Sequence, residues 1–326
     1  MKKLLMLPAV RITLSLCASF FIVWGLVAAG VINDYLFTVV VTICVNIILA
    51  CSLNLVTGFT GQFSLGHAGF MSIGAYACAF LTMRFDSTLG FFAGVLAGAC
   101  FAALAGFLIG LPILRLKGDY LAIATLGMSE IIRNVFTNLE ATNGAAGLNG
   151  IPQYVTWPYL FTATAATVLI ISLLIRSTHG RAMISIREDE TAAESVGVDA
   201  VRYKVAAFTI GAFFAGLAGA VYASYFYFIK PDLFGFQRSV DILVVVVFGG
   251  LGSITGSILA SILLVILSTL LQSVTELRMV IYALLLIVTM IFRPQGIMGS
   301  RELSQALLRK TAASLGGIFH RKEREN

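Results

Sequence analysis

Residues 35–56 read YLFTVVVTICVNIILACSLNLV, residues 57–62 read TGFTGQ, and residues 63–83 read FSLGHAGFMSIGAYACAFLTM. The first and third runs carry no Lys, Arg, Asp or Glu. A hydrocarbon core about 30 Å thick is crossed by roughly 20 apolar helical residues, so each run is long enough for one crossing. Two spans are therefore separated by a short break rich in glycine. The same pattern extends over the whole chain of 326 residues, which is 59% hydrophobic and only 12% charged. Its mean hydropathy is +0.94. Soluble domains carry roughly a quarter of their residues as charges, so a soluble single domain is excluded and no length remains for a large one beside the spans.

Apolar segments fall at about 12–32, 35–56, 63–83, 89–114, 119–139, 159–175, 204–229, 236–250, 254–274 and 279–292. Backbone polar groups in lipid must be paired, and no ten-residue alternation points to a barrel, so these segments are read as helices. The expected fold is an all-α integral membrane protein, a single polytopic bundle of about ten transmembrane helices over residues 1–326. The run 12–32 follows Lys2, Lys3 and Arg11 but is too long for a signal-peptide core, and is read as the first uncleaved span. With the N-terminus inside, 17 of the 22 Lys and Arg residues fall on the cytoplasmic side, leaving Arg84, Arg133, Lys230, Arg238 and Arg278. Both termini are then cytoplasmic, including a tail from about 293 to 326. The loop Glu140–Pro158, without a basic residue, faces outward, and the charged loop at about 177–203 faces the cytoplasm.

The net charge of +6 is spread over these margins. It fits topology and contact with the lipid bilayer and calls for no nucleic acid. Cys17, Cys44, Cys51, Cys78 and Cys100 all sit in apolar stretches, with no ligand spacing for a metal, and are read as small buried side chains.

Between Gly58 and Phe70 lie four glycines, too many for a regular helix. Irregular backbone at membrane depth survives only inside protein or beside a water-filled path. The segment is thus either a broken helix lining a translocation route or a tight cytoplasmic turn of small residues. A related pattern returns at residues 249–256, GGLGSITG, where Gly249, Gly252, Ile254 and Thr255 match Gly58, Gly61, Phe63 and Ser64 at a constant offset of 191. Candidate path residues are Gly58, Gly61, Gln62, Ser64, His67, Gly249, Gly250 and Gly252. His67 either titrates in a proton-coupled step or is a neutral ring bonded to a helix end. Glu130 and Arg133, three apart, share one helix face and can neutralise each other. Asp241 falls early in its span, near the outer interface. Small residues spaced four apart, as in Gly94/Gly98, Gly106/Gly110, Ala215/Gly219 and Gly252/Gly256, predict close helix packing.

Residues 180–199 read GRAMISIREDETAAESVGVD. Acidic Glu188, Asp189 and Glu190, then Ala192 and Ala193, then Gly197, describe a short helix with carboxylates at its positive end and glycine terminating it. It is either a docking element or a solvated connector.

This last segment resembles the coupling segment of bacterial ABC importer permeases, with Thr191 where a glutamate often stands. Arg187 to Glu190 is similar to the form found in the branched-chain amino acid subfamily (Liv type). Gly58–Tyr76, Thr142–Pro152 and Phe248–Gly256 also resemble that subfamily's segments, so the likeness runs from about Asn54 to Gly296. The resemblance implies a ten-span permease subunit with its coupling loop between spans six and seven, where Arg187, Glu188, Asp189, Glu190, Ala192, Ala193 and Gly197 fall. It implies a second homologous permease chain, two ATP-binding subunits that hold ATP and Mg, and a periplasmic substrate-binding protein. The loop at Thr142, Asn143, Gly144 and Gly147 would then face the periplasm. No Gly-Lys dipeptide occurs, so no Walker A loop is expected, and neither cofactor nor enzymatic activity is expected of this chain. A urea or short-amide permease, an ion-coupled secondary transporter and a passive channel remain as alternatives.

Overall fold

The computed structural model describes residues 24–25, 33–116, 118–272, 281, 284, 287 and 296–299. Among them run α1 (Asp34–Asn54), extended by a π-helical turn (Leu55–Phe59), α2 (His67–Arg84), α3 (Thr88–Ile113), α4 (Asp119–Asn138) and α5 (Trp157–Arg176). Then follow α6 (Thr178–Glu188), α7 (Glu190–Ser195), α8 (Ala200–Phe226), α9 (Phe236–Gly249) and α10 (Ile254–Leu270). Eight of the ten expected spans are helices at close to the expected bounds. The other two, 12–32 and 279–292, lie outside the described residues but for isolated positions, as do Cys17 and most of the basic tail. By length and composition, Asp34–Phe59, Thr88–Ile113, Trp157–Arg176 and Ala200–Phe226 can each cross a membrane. α9 is shorter, 14 residues or about 21 Å of helix, less than a full crossing.

The helices alternate in direction, so the connections collect at two ends. One end gathers 58–66, 114–118, 177–199 and 250–253; the other gathers 85–87, 139–156 and 227–235. At the second end a two-residue bridge joins β1 (Leu148–Asn149) to β2 (Phe228–Ile229), antiparallel, with Leu148 opposite Ile229. There Thr142 is buried and donates its hydroxyl to Leu139 O at 2.7 Å, while the Asn143 amide donates to Gly147 O at 3.3 Å. Tyr154 donates to Asp86 at 2.6 Å, tying this loop to the α2–α3 connection. That hydrogen bond to the carboxylate raises the Tyr154 phenol above its ordinary pKa.

α2, α3 and α8 form the central trio, with Gly74, Gly98 and Gly216 bringing their backbones together. Lipid tails supply no hydrophobic drive between helices, so close approach of small residues is what packs them. The expected Gly252/Gly256 helix pair is corrected: Gly252 lies in the turn before α10, and Gly256 packs against Gly249 instead. Cys44, Cys51 and Cys78 are buried, but Cys100 is exposed, beside Leu96, Phe101 and Leu104 on the outer face of α3. Lipid is as apolar as the core, so composition alone did not separate the two faces of that helix.

Candidate functional site

At the first end of the bundle, the two glycine segments meet. The π turn widens the last turn of α1, and residues 60–66 leave helical geometry before α2 restarts at His67. Here Asn54, fully buried, clamps the α9–α10 turn with both ends of its amide. Its Oδ1 accepts from Gly252 N at 2.8 Å, and its Nδ2 donates to Ser253 O at 2.9 Å and Ser257 Oγ at 2.8 Å. Gly58 has no room for a side chain: a Cβ would stand 1.8 Å from Asn54 Oδ1 and 2.3 Å from Gly252 N. The repeat at an offset of 191 is thus a physical contact, although Gly58 faces Gly252 rather than its sequence equivalent Gly249. Gly296 packs on Gly250, and Ile297 N donates to Phe248 O at 2.9 Å, closing the turn from the C-terminal side.

Arg187 enters this junction from the last turn of α6. Its Nη1 donates to Gly58 O at 2.9 Å, a carbonyl at the negative end of α1, where a cation is favoured. Its stem lies over Gly61, and the same Nη1 faces Gly252. Glu188 accepts from the other side of the guanidinium, holding its plane. One side chain of the charged loop therefore touches both glycine segments, a contact the sequence spacing did not reveal.

The expected single helix from Glu188 to Gly197 is two helices with a break at Asp189. Glu188 ends α6, and Asp189 caps α7 by accepting from Ala192 N at 3.0 Å. α7 closes with Gly197 in the left-handed region (φ +88°), where Gly197 N donates to Glu194 O and Val198 N to Ala193 O, a Schellman ending. Ala193 does not face outward: it is buried against Ile186 and Ala200. The exposed residues of α7 and its end include Thr191, Ala192, Glu194, Ser195 and Val196, the last 78% exposed. Glu190 turns back to pair with Lys204 on α8 at 2.7 Å, which fastens the element to that span.

The remaining candidates surround the break. Gln62 is buried, and among the described residues neither its amide nitrogen nor its oxygen has a hydrogen-bond partner. Ser64 is buried and accepts from Gly66 N at 3.4 Å. Freed backbone N–H groups are met by side chains: Leu65 donates to Thr125 Oγ1 and Ala68 to Ser239 Oγ. His67 Nε2 bonds Ser52 Oγ at 2.7 Å. Gln62, Ser64 and Gly66 of the break are buried, while Gly61 and Phe63 are exposed. Toward the other end, Arg133 pairs with Glu130 at 2.7 Å and with Asp232 at 3.1 Å, while Glu130 also accepts from Phe236 N at the start of α9. Only the first of these contacts was legible from sequence. Among the described residues, no group of three or more His, Cys, Asp or Glu is placed to hold a metal.

The family described as "Branched-chain amino acid transport system / permease component" matches residues 35–290. The high-affinity branched-chain amino acid transport system permease protein LivM of Escherichia coli (strain K12) is 36% identical over 289 residues, covering 78% of this chain and 68% of the relative. LivH, a permease protein of the same description, from Salmonella typhimurium is 25% identical over 79% of this chain and 92% of its own length. BraD of Pseudomonas aeruginosa is 25% identical with the same coverage. No solved structure matches the chain. With its polytopic helical fold and a family match over most of its length, the chain belongs to the family of branched-chain amino acid transport system permease components.

Proposed function

We propose that this chain is the transmembrane permease subunit of an ATP-driven importer of branched-chain amino acids in the bacterial cytoplasmic membrane. In this reading α6 and α7 lie in the cytoplasm, where an ATP-binding partner grips the exposed face at Ala192 and Val196. Arg187 passes the partner's motion to Gly58 and Gly252, and α1, α9 and α10 shift as a unit to alternate access to the central path. The single observation that carries this mechanism is the Arg187 to Gly58 O bond at 2.9 Å beside Gly252. ATP and Mg reside on two partner chains, a second homologous permease completes the membrane unit, and a periplasmic binding protein delivers substrate to the end bearing Thr142, Asn143, Gly144 and Gly147. The existence of both LivM and LivH among the relatives supports a pair of unlike permeases.

The proton-coupled alternative drew on His67, whose hydrogen-bond partner is a serine hydroxyl rather than a carboxylate. Nothing in the site favours urea over an amino acid. Uptake of radiolabelled leucine, measured after ATP depletion with the proton gradient held, tests the class directly. Uptake should stop; persistence would point to a secondary transporter or channel.

A further inference from the structure

Every glycine inside α1 to α10 lies against a neighbour except Gly127, in the middle of α4. A Cβ on Gly74, Gly98, Gly216 or Gly219 would stand 2.6 Å or less from another helix, whereas one on Gly127 would meet nothing within 4 Å among the described residues. Glycine weakens a helix relative to alanine, and close backbone approach is what offsets that cost elsewhere in this bundle. Gly127 carries the cost with no such contact here. It is also the centre of a stripe: Tyr120, Ile123, Gly127, Ile131, Asn134 and Asn138 recur three or four residues apart and are all exposed. They share one face along the whole 20 residues of α4, about 30 Å of helix. The opposite face seats on α2, with Gly66 against Thr125, Gly69 against Ser129 and Tyr76 stacked on Phe136 at 4.3 Å.

Beside the stripe, Glu130 and Arg133 keep 30% and 29% of their side chains exposed, and Asp232 keeps 61%. Glu130 lies eight residues from the end of α4, roughly 12 Å inside the crossing. Ionisable side chains at that depth face protein or a water-filled space rather than lipid. α3 provides the contrast: its five glycines are all buried, and Leu96, Phe101, Leu104 and Leu108 stand outward, a surface suited to acyl chains.

We infer that the outer face of α4 seats a transmembrane helix of the companion permease, whose backbone crosses at Gly127. The bare glycine admits a helix at close range, Ile123 and Ile131 pack on either side of it, and Asn134 offers an amide that lipid cannot satisfy. Glu130 and Asp232 put two carboxylates beside the one guanidinium of Arg133, so the occupant is one that brings hydrogen-bond donors. The chain's own remaining apolar runs do not answer to that description, since 12–32 and 279–292 contain no charged residue, Asn or Gln. The inference rests on the importer reading, which calls for an unlike permease, and adds the face on which it sits.

The test uses the whole complex in native membranes, with a tag on this chain. A photo-reactive benzophenone side chain is placed at Ile123, at Ile131 and, on the lipid-facing control surface, at Leu104, and the captured peptides are identified by mass spectrometry. The companion permease should be captured from 123 and 131 and not from 104. Gly127→Leu should lower the companion copurified with the tagged chain at least about fivefold, the loss expected from overpacking a close contact, with membrane abundance of the chain held within about twofold. Capture from 104 alone, cross-links to residues 12–32 or 279–292 of the same chain, capture of a second copy of this chain in place of the companion, or unchanged copurification in Gly127→Leu overturns the inference. Capture of the companion at both α4 positions from an assembly that holds no ATP-binding chain upholds the face and removes the importer reading instead.

Discussion

Asn54 and Gly58 act as a lock and its notch. Asparagine is rare at full burial because both ends of its amide need partners, and here the α9–α10 turn supplies them. Asn54→Ala removes the acceptor of the Gly252 N–H, at about 1–3 kcal/mol for a buried group left unpaired, while the Ser253 carbonyl still accepts from Ser257. Thermal unfolding of the purified complex should show a lower midpoint for this variant, with uptake lost; an unchanged midpoint would mean that the clamp contributes little. Gly58→Ala is expected to abolish uptake while the chain still inserts, because its methyl would overlap Asn54 Oδ1 and drive the two segments apart. Membrane-fraction abundance and leucine uptake, measured side by side, distinguish the two effects.

For the elements, α6 and α7 show how far the residues spoke for themselves. Carboxylates ahead of two alanines and a glycine announced a short helix, and its C-terminal end falls at Gly197 as those residues implied. The break at Asp189 was not legible, because Asp is both a helix-start residue and a tolerable internal one, and only its cap to Ala192 N decides. Membrane helices were legible from hydropathy, since apolar length is what lipid demands. Their facing was not, as Cys100 illustrates, because core and lipid favour the same side chains. Likewise the glycine repeat was visible, but the Arg187 contact that gives it meaning joins residues 129 apart in sequence. The division of faces on α7 yields a paired prediction. Ala193→Glu, inside, should destabilise the element and reduce chain abundance; Val196→Glu, outside, should leave abundance normal and weaken copurification of the ATP-binding partner. Equal copurification in Val196→Glu and wild type would remove that face from docking.

Considered whole, the molecule is a bundle fastened at two ends by different means. At one end a β bridge and the Tyr154–Asp86 hydrogen bond join three loops; at the other, Asn54, Arg187 and paired glycines join two broken segments to a charged element. If the end bearing Arg187 is cytoplasmic, Ala192→Cys should react with an impermeant maleimide only after cells are opened, and Ala145→Cys should react in intact cells. The reverse pattern would invert the topology. The central claim is that Arg187 transmits work between the charged element and the glycine junction. Its most direct measurement is the ratio of leucine transported to ATP hydrolysed by the reconstituted complex carrying Arg187→Gln. Hydrolysis within about twofold of wild type with uptake reduced at least about tenfold, the cost of one charged hydrogen bond at the transmitting contact, is the predicted result. An unchanged ratio would contradict it.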